Sequence, residues 1–130
     1  MTIKALDIPI IQLPVSDVAQ SVKWYTNILG LEFTFEYQDG DQEAWMNVNG
    51  GIGLGLVQAK NVPDLTFENM KGERNSILTF RVDDIHSVYD QMKKKGEAVG
   101  EMVYKEGGGY SFIIKDPDGH MSYLWGGWPK

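Results

Sequence analysis

Residues 13–33, LPVSDVAQSVKWYTNILGLEF, contain the clearest structural signal of the chain. The apolar residues after Asp17 recur at steps of four, three and four, which is the spacing of one helix face: Val18, Val22, Tyr25 and Leu29. Asp17 is suited to cap the start of this helix, and Gly30 is suited to end it in the left-handed conformation. Large apolar side chains then alternate with polar ones from Leu31 to Tyr37, which predicts a strand.

The same order of elements occurs twice along the chain. Helix 18–29 is joined by predicted strands at 8–15, 31–37, 43–49 and 52–57. A second helix is predicted after Asp84, which is suited to cap it, with an apolar stripe from Ile85 to Met92 and a stop at Gly96. The strands of this second half are predicted at 76–82, 98–104, 110–115 and 121–125. The sequence therefore predicts an α+β fold of two βαβββ modules. Their sheets would curl into a cup-shaped half-barrel with the helices on its outer face.

The chain of 130 residues is predicted to form one domain. Module one spans about residues 7–58 and module two about 76–126. The intervening residues, about 59–75, are polar, contain Pro63 and Gly72, and are interpreted as a linker with one helical turn near 67–70.

Composition narrows the classes of partner. The formal net charge is −6, which disfavours binding to nucleic acid, and no apolar run is long enough to cross a membrane. The chain has no cysteine, so neither disulfides nor thiolate chemistry are available. A secretory signal pattern is missing from the N-terminus, and we therefore expect a cytoplasmic protein.

Three stretches resemble the vicinal oxygen chelate superfamily, which includes glyoxalase I, fosfomycin-resistance enzymes, extradiol dioxygenases and bleomycin-resistance proteins. They are VSDVAQSVKWYTNILGLEF in the first half, and FRVDDIHSVYDQMKKKG and KDPDGHMSYLW in the second. The resemblance covers nearly the whole chain. It implies paired βαβββ modules, a cup, a homodimer and, in the enzymes, a divalent metal held by side chains from the first, fourth, fifth and eighth strands.

The residues at those four positions do not suit a metal. Counting from the helix caps and from the DPDG turn places three of the family's ligand positions at Ile10, Ile77 and Tyr123, and the fourth-strand position maps onto Gly55 or its neighbour. Isoleucine and glycine offer no donor atom, and an ordinary tyrosine stays protonated at neutral pH. His86 and His120 are interpreted as surface or structural residues. We therefore expect neither a metal nor another cofactor.

Strand alternation predicts which side chains line the concave face. The predicted ligand-binding residues are mostly aromatic or apolar, with a few polar groups that could orient a ligand: Ile10, Gln12, Trp45, Asn47, Ile77, Thr79, Tyr110, Phe112, Tyr123 and Trp125. The opposite alternation is aliphatic and suits the face that the helices cover.

The favoured function is a metal-free, bleomycin-resistance-type protein that binds a small organic molecule, cationic or aromatic, in the cup. The alternative is a glyoxalase-like lyase, isomerase or dioxygenase with non-standard metal ligands. A third hypothesis is a subunit whose cup is filled, by its own aromatic rings or at a dimer interface, and whose role is assembly.

Overall fold

Helix α1 (Val18–Leu29) forms as its sequence predicts. The computed structural model describes residues 2–130. The carboxylate of Asp17 accepts a hydrogen bond from the backbone N–H of Gln20 at 3.2 Å, and Gly30 adopts a φ of 67° at the other end. Local chemistry therefore accounts for both ends of the helix.

The chain divides into two compact units, Met1–Pro63 and Asp64–Lys130. In the first unit, strands β1 to β4 form one mixed sheet in the order β1-β4-β3-β2. Their bounds are Ile10–Val15, Glu32–Phe33, Glu43–Asn47 and Gly53–Gln58. Strands β1 and β4 are parallel, and the other pairs are antiparallel. The buried face of this sheet is aliphatic, as predicted: Leu13, Val15, Ala44, Met46, Leu54 and Leu56.

The second unit repeats this arrangement. It contains β7 (Thr79–Arg81), α2 (Ile85–Lys94), β8 (Val103–Lys105), β9 (Gly109–Lys115) and β10 (Met121–Trp125). These strands form a mixed sheet in the order β7-β10-β9-β8, with β7 and β10 parallel. The predicted α+β fold of two βαβββ modules is thus confirmed. Neither helix is long and apolar enough to cross a membrane within residues 2–130.

The predicted linker contains a short hairpin. Strands β5 (Phe67–Glu68) and β6 (Arg74–Asn75) pair in antiparallel fashion, so the predicted helical turn near 67–70 is wrong. The side chain of Asn69 closes the turn, because its Oδ1 accepts the backbone N–H groups of Lys71 and Glu73, both at 2.9 Å. A side chain that satisfies nearby backbone groups in this way favours a turn over a helix.

Several predicted strands are shorter in the structure, most of all those at 31–37, 76–82 and 98–104, the last of which is reduced to Val103–Lys105. The strand at 31–37 is reduced to Glu32–Phe33, and the rings of Phe33 and Tyr37 stack with their centroids 5.6 Å apart. Residues four apart in a strand are separated by about 13 Å, so the chain must turn here. The strand at 76–82 is reduced to Thr79–Arg81, since the Ser76 hydroxyl accepts the N–H of Leu78 and donates to the Met121 carbonyl.

Helix α2 begins differently from the prediction. Asp84 adopts a left-handed conformation, with φ 51° and ψ 60°, and its side chain makes no capping hydrogen bond. Asp84 is thus the N-cap residue by position, as predicted, but it does not cap the helix through its side chain. The apolar stripe is confirmed in part, with Ile85 and Met92 buried and the tyrosine between them half-buried.

Candidate functional site

The second unit contains a cavity of about 360 Å³ whose lining includes three aromatic side chains. We call it the tryptophan cavity and define it by these residues: Asn75, Thr79, Lys105, Gly108, Gly109, Ser111, Tyr123, Trp125 and Trp128. Three of the predicted ligand-binding residues are among them, namely Thr79, Tyr123 and Trp125. A volume in this range is typical of pockets for small organic molecules.

Strand register brings these three residues together. Tyr123 lies beside Thr79 on β7, and Trp125 lies beside Ser111 on β9. Successive strand residues point to opposite faces, so the neighbouring Leu124 points into the core and is fully buried. The cavity is therefore built on the sheet face opposite α2.

The indole of Trp125 is held in place by the chain around it. Its Nε1–H donates to the Gly108 carbonyl at 2.7 Å, and its ring meets the Trp128 ring edge to face, with centroids 4.7 Å apart. Gly109 has a φ of 85°, and a Cβ there would approach the Gly127 carbonyl oxygen to 2.5 Å. This close approach requires glycine and fixes one wall of the cavity.

Hairpin β5–β6 supplies a further wall. The Tyr123 hydroxyl donates to Asn75 Oδ1 at 3.3 Å, while Asn75 Nδ2 donates to the Glu73 carbonyl at 3.1 Å. The segment interpreted as a linker therefore contributes Asn75 to the cavity. The sequence carried no signal for this role, because Asn75 is a polar residue in a stretch without regular periodicity.

Tyr110 and Phe112 do not lie on the predicted face. Phe112 is only 1% exposed and packs edge to face on Tyr89 of α2, while the Tyr110 ring contacts His86 of the same helix. Ser111 faces the cavity in their place. The signal was present in the sequence, because Phe112 and Ile114 form the bulkier and more apolar alternation of β9 and so belong in the core.

The corresponding face of the first unit is covered by its own side chains. Trp45 lies over Gly55, where an added Cβ would be 2.7 Å from Trp45 Cε3, and Ile10 lies over Gly53 in the same way. Asn47 is engaged structurally, because its Nδ2 donates to the Thr34 hydroxyl at 2.9 Å and its Oδ1 accepts the Gly50 N–H at 2.8 Å. Gln12 is exposed beside Gly55 on β1.

An acidic depression lies beside Trp45 in the first unit. It is lined by Glu36, Gly40, Asp41, Gln42, Glu43 and Trp45. The hydroxyl of nearby Tyr37 is buried without a hydrogen-bond partner in the described part of the chain. Burial, followed by the charges of Asp39, Asp41 and Asp17, raises the pKa of Tyr37 above its ordinary value of 10.0.

The four positions implied for a metal do not offer a set of ligands. Ile77 is 57% exposed and, like Ile10, has no donor atom, while the space beside Gly55 is filled by the Trp45 ring. The Tyr123 hydroxyl is hydrogen-bonded to Asn75. His120 is buried near Asp116, and His86 is exposed on α2. Across residues 2–130, no group of three or more histidine, aspartate or glutamate side chains is arranged to hold a metal.

Comparisons with known proteins identify a matching family and a related protein. The model of the Glyoxalase/Bleomycin resistance protein/Dioxygenase superfamily matches residues 7–122. A probable lactoylglutathione lyase from Vibrio parahaemolyticus is 29% identical over 119 residues, which cover 86% of this chain and 84% of that protein.

Two solved structures share the fold at low sequence identity. The antibiotic binding protein TnmS3 from Streptomyces sp. CB03234 is 21% identical with a TM-score of 0.71, covering 96% of this chain and 98% of that one. The fosfomycin resistance protein FosX from Listeria monocytogenes is 18% identical with a TM-score of 0.72, covering 97% and 95%. At these identities the likeness concerns the fold alone. The match of the family model over most of the sequence shows that the chain belongs to the Glyoxalase/Bleomycin resistance protein/Dioxygenase superfamily.

Proposed function

We propose that this protein binds a small, planar organic molecule in the tryptophan cavity and does so without a metal. The observation that carries the proposal is the cavity itself, about 360 Å³ in volume and walled by Tyr123, Trp125 and Trp128. Pockets for small molecules are mostly apolar, with a few polar groups that set the orientation. Here Thr79 and Ser111 add hydroxyl groups to the lining.

The mechanism would be sequestration, in which no bond of the ligand is broken. Trp125 and Trp128 present rings at 82° to each other, so that a planar ligand can stack on one and meet the edge of the other. Each such aromatic contact contributes about 0.5–1.5 kcal/mol beyond the burial of its area. The hydrogen bond from Trp125 to Gly108 holds this indole before the ligand arrives, which lowers the entropic cost of binding.

The absence of suitable ligands at the four implied positions supports the metal-free part of the proposal. The residues there are Ile10, Gly55, Ile77 and Tyr123. An enzyme of the lactoylglutathione lyase kind is the second candidate, and the relative from Vibrio parahaemolyticus favours it. In that case a metal would be held by residues other than these four.

Binding and metal content are to be measured on protein purified without a histidine tag. Elemental analysis should find no stoichiometric divalent ion. A thermal-shift screen with bleomycin and with uncharged planar aromatic compounds should raise the melting temperature for at least one compound, because a ligand of the folded state stabilises it by mass action. One equivalent of zinc, nickel, manganese or iron would favour the lyase.

Substitutions of the cavity residues test whether the ligand binds in the tryptophan cavity. Trp125→Ala and Tyr123→Ala should each abolish the rise in melting temperature while the variant remains folded by circular dichroism. The matched control is Trp45→Phe, which alters an indole of the first unit. Unchanged binding by both cavity variants would show that the ligand lies elsewhere.

We also propose that the chain forms a single domain and that the protein is cytoplasmic. The superfamily tendency noted from the sequence leads us to propose a homodimer. Sedimentation equilibrium would reveal it as a mass of twice 14.6 kDa.

A further inference from the structure

Lys105 is the single charged residue among those that line the tryptophan cavity. It lies at the end of β8, where it pairs with Gly109, and Val103 pairs with Ser111 two positions away. Because side chains alternate along a strand, Lys105 shares the cavity face with Ser111. The intervening Tyr104 points to the other face and meets the ring of Tyr110.

The turn that carries Lys105 is connected to the aromatic wall. The Lys105 carbonyl accepts the N–H of Gly108 at 2.9 Å, and the carbonyl of Gly108 accepts the Trp125 indole N–H at 2.7 Å. The backbone of Lys105 is therefore positioned by the same indole that would stack on a ligand. Its flexible side chain can bring the ammonium group to a ligand at that wall.

Three side chains of the cavity can each still donate a hydrogen bond to a ligand. Asn75 Oδ1 already accepts the Tyr123 hydroxyl, and the Trp125 indole N–H is engaged by Gly108. The hydroxyls of Thr79 and Ser111 and the ammonium of Lys105 are the groups that can still donate. No carboxylate is among the residues lining this cavity, which distinguishes it from the depression beside Trp45 in the first unit.

We infer that the tryptophan cavity selects planar aromatic molecules that carry a carboxylate. This inference rests on the proposed binding function and assigns its ligand class. The aromatic part would lie against Trp125 and Trp128, and the carboxylate would accept hydrogen bonds from Lys105 and from Ser111 or Thr79. The net charge of −6 favours cations in general, but the charge next to the ligand has the larger effect at short range.

Three probes of one shape test the inference by isothermal titration calorimetry: 2-naphthoate, 2-naphthamide and 2-naphthylmethylammonium. We expect the naphthoate to bind at least about tenfold more tightly than the amide, which is the size of effect of a hydrogen bond to a charged group. The ammonium compound should bind the weakest of the three. The advantage of the naphthoate should shrink at high salt, because ions screen the contact.

Lys105→Gln should remove the advantage of the naphthoate over the amide, because it lowers the affinity for the naphthoate far more than that for the amide, whereas Lys105→Arg should retain the advantage. Lys94→Gln on α2 is the control for a change in overall charge. Equal binding of acid and amide, tighter binding of the ammonium compound, or an unaffected Lys105→Gln would overturn the inference and leave the binding function intact. Failure of all three probes, together with failure of the thermal-shift screen, would overturn both.

Discussion

Each unit has its own four-stranded sheet of the same topology, and the two sheets differ in which strand carries the large rings. Gly55 and Tyr123 occupy corresponding positions, since Gly55 pairs with Gln12 on β1 and Tyr123 pairs with Thr79 on β7. In the first unit the ring belongs to the neighbouring strand β3, where Trp45 lies over Gly55. In the second unit the ring belongs to β10 itself, and its neighbour on β9 is Ile113.

The strand that carries the large ring decides which unit has the aromatic-lined cavity. A glycine in the sheet allows the ring beside it to lie flat, and the face is then covered from within the unit. A tyrosine at the same position projects from the sheet and lines the cavity. The two helix-covered faces, by contrast, are built alike, with Ala44 and Phe112 at corresponding buried positions.

The largest expected effect on stability concerns the buried, helix-covered face of the second unit's sheet. Phe112→Ala should lower the free energy of unfolding by about 3–5 kcal/mol, since it removes a fully buried ring and leaves a cavity. Ile113→Ala, on the opposite face, should cost less because that side chain is half-buried. Urea unfolding measures both. A loss of ligand affinity without a loss of stability in Phe112→Ala would contradict the placement of Phe112 in the core.

The second prediction concerns the covered face of the first unit. Gly55→Ala should destabilise the protein by about 1–3 kcal/mol, because its Cβ overlaps the Trp45 ring. The same substitution in a Trp45→Ala background should cost much less, and a double-mutant cycle measured by urea unfolding gives the difference. An equal cost in both backgrounds would show that Trp45 does not lie over Gly55.

The third prediction compares the starts of the two helices. Asp17→Ala should destabilise by about 0.5–2 kcal/mol because it removes a capping hydrogen bond, and Asp17→Asn should retain most of the stability. Asp84→Asn should change the stability by less than about 0.5 kcal/mol, because Asp84 makes no capping bond and asparagine tolerates its left-handed conformation. Thermal unfolding should reveal the contrast, and a large loss in Asp84→Asn would contradict it.

The smallest expected effect is a dependence of stability on pH that arises from Tyr37 in the first unit. The pKa of Tyr37 is raised above 10.0 in the folded protein, so the unfolded chain releases this proton at a lower pH. The resulting stability is fully present below pH 10 and is lost as the pH rises through the higher folded value. Tyr37→Phe should therefore show a shallower loss of melting temperature above pH 10. Identical profiles for the two proteins would contradict the shift.

The sequence predictions are most accurate where the interactions involved connect residues close together in the chain. Helix α1 was predicted to the residue, because Asp17, the apolar spacing and Gly30 act within a few positions of one another. Strand β10 was also predicted to the residue, between the DPDG turn and Gly126. The strand at 31–37 was predicted too long, since alternation alone does not reveal that the rings of Phe33 and Tyr37 stack.

The candidate site was predicted in part for the same reason. Thr79, Tyr123 and Trp125 were identified from alternation and line the tryptophan cavity. Tyr110 and Phe112 were assigned to the wrong face, although Phe112 and Ile114 form the more apolar alternation of β9 and are both buried in the core. Lys105, Asn75 and Trp128 were missed, since each enters the cavity from a turn, a hairpin or the segment after the last strand.

The sequence by itself determined the repeated βαβββ order, the family and the face of most strand residues, because spacing, caps and turns are local properties. Only the tertiary structure decided that Trp45 covers Gly55, that a hairpin forms within residues 59–75, and that Lys105 is at the tryptophan cavity. Those outcomes depend on pairing between strands distant in the chain, and no local pattern specifies which side chain fills a given space.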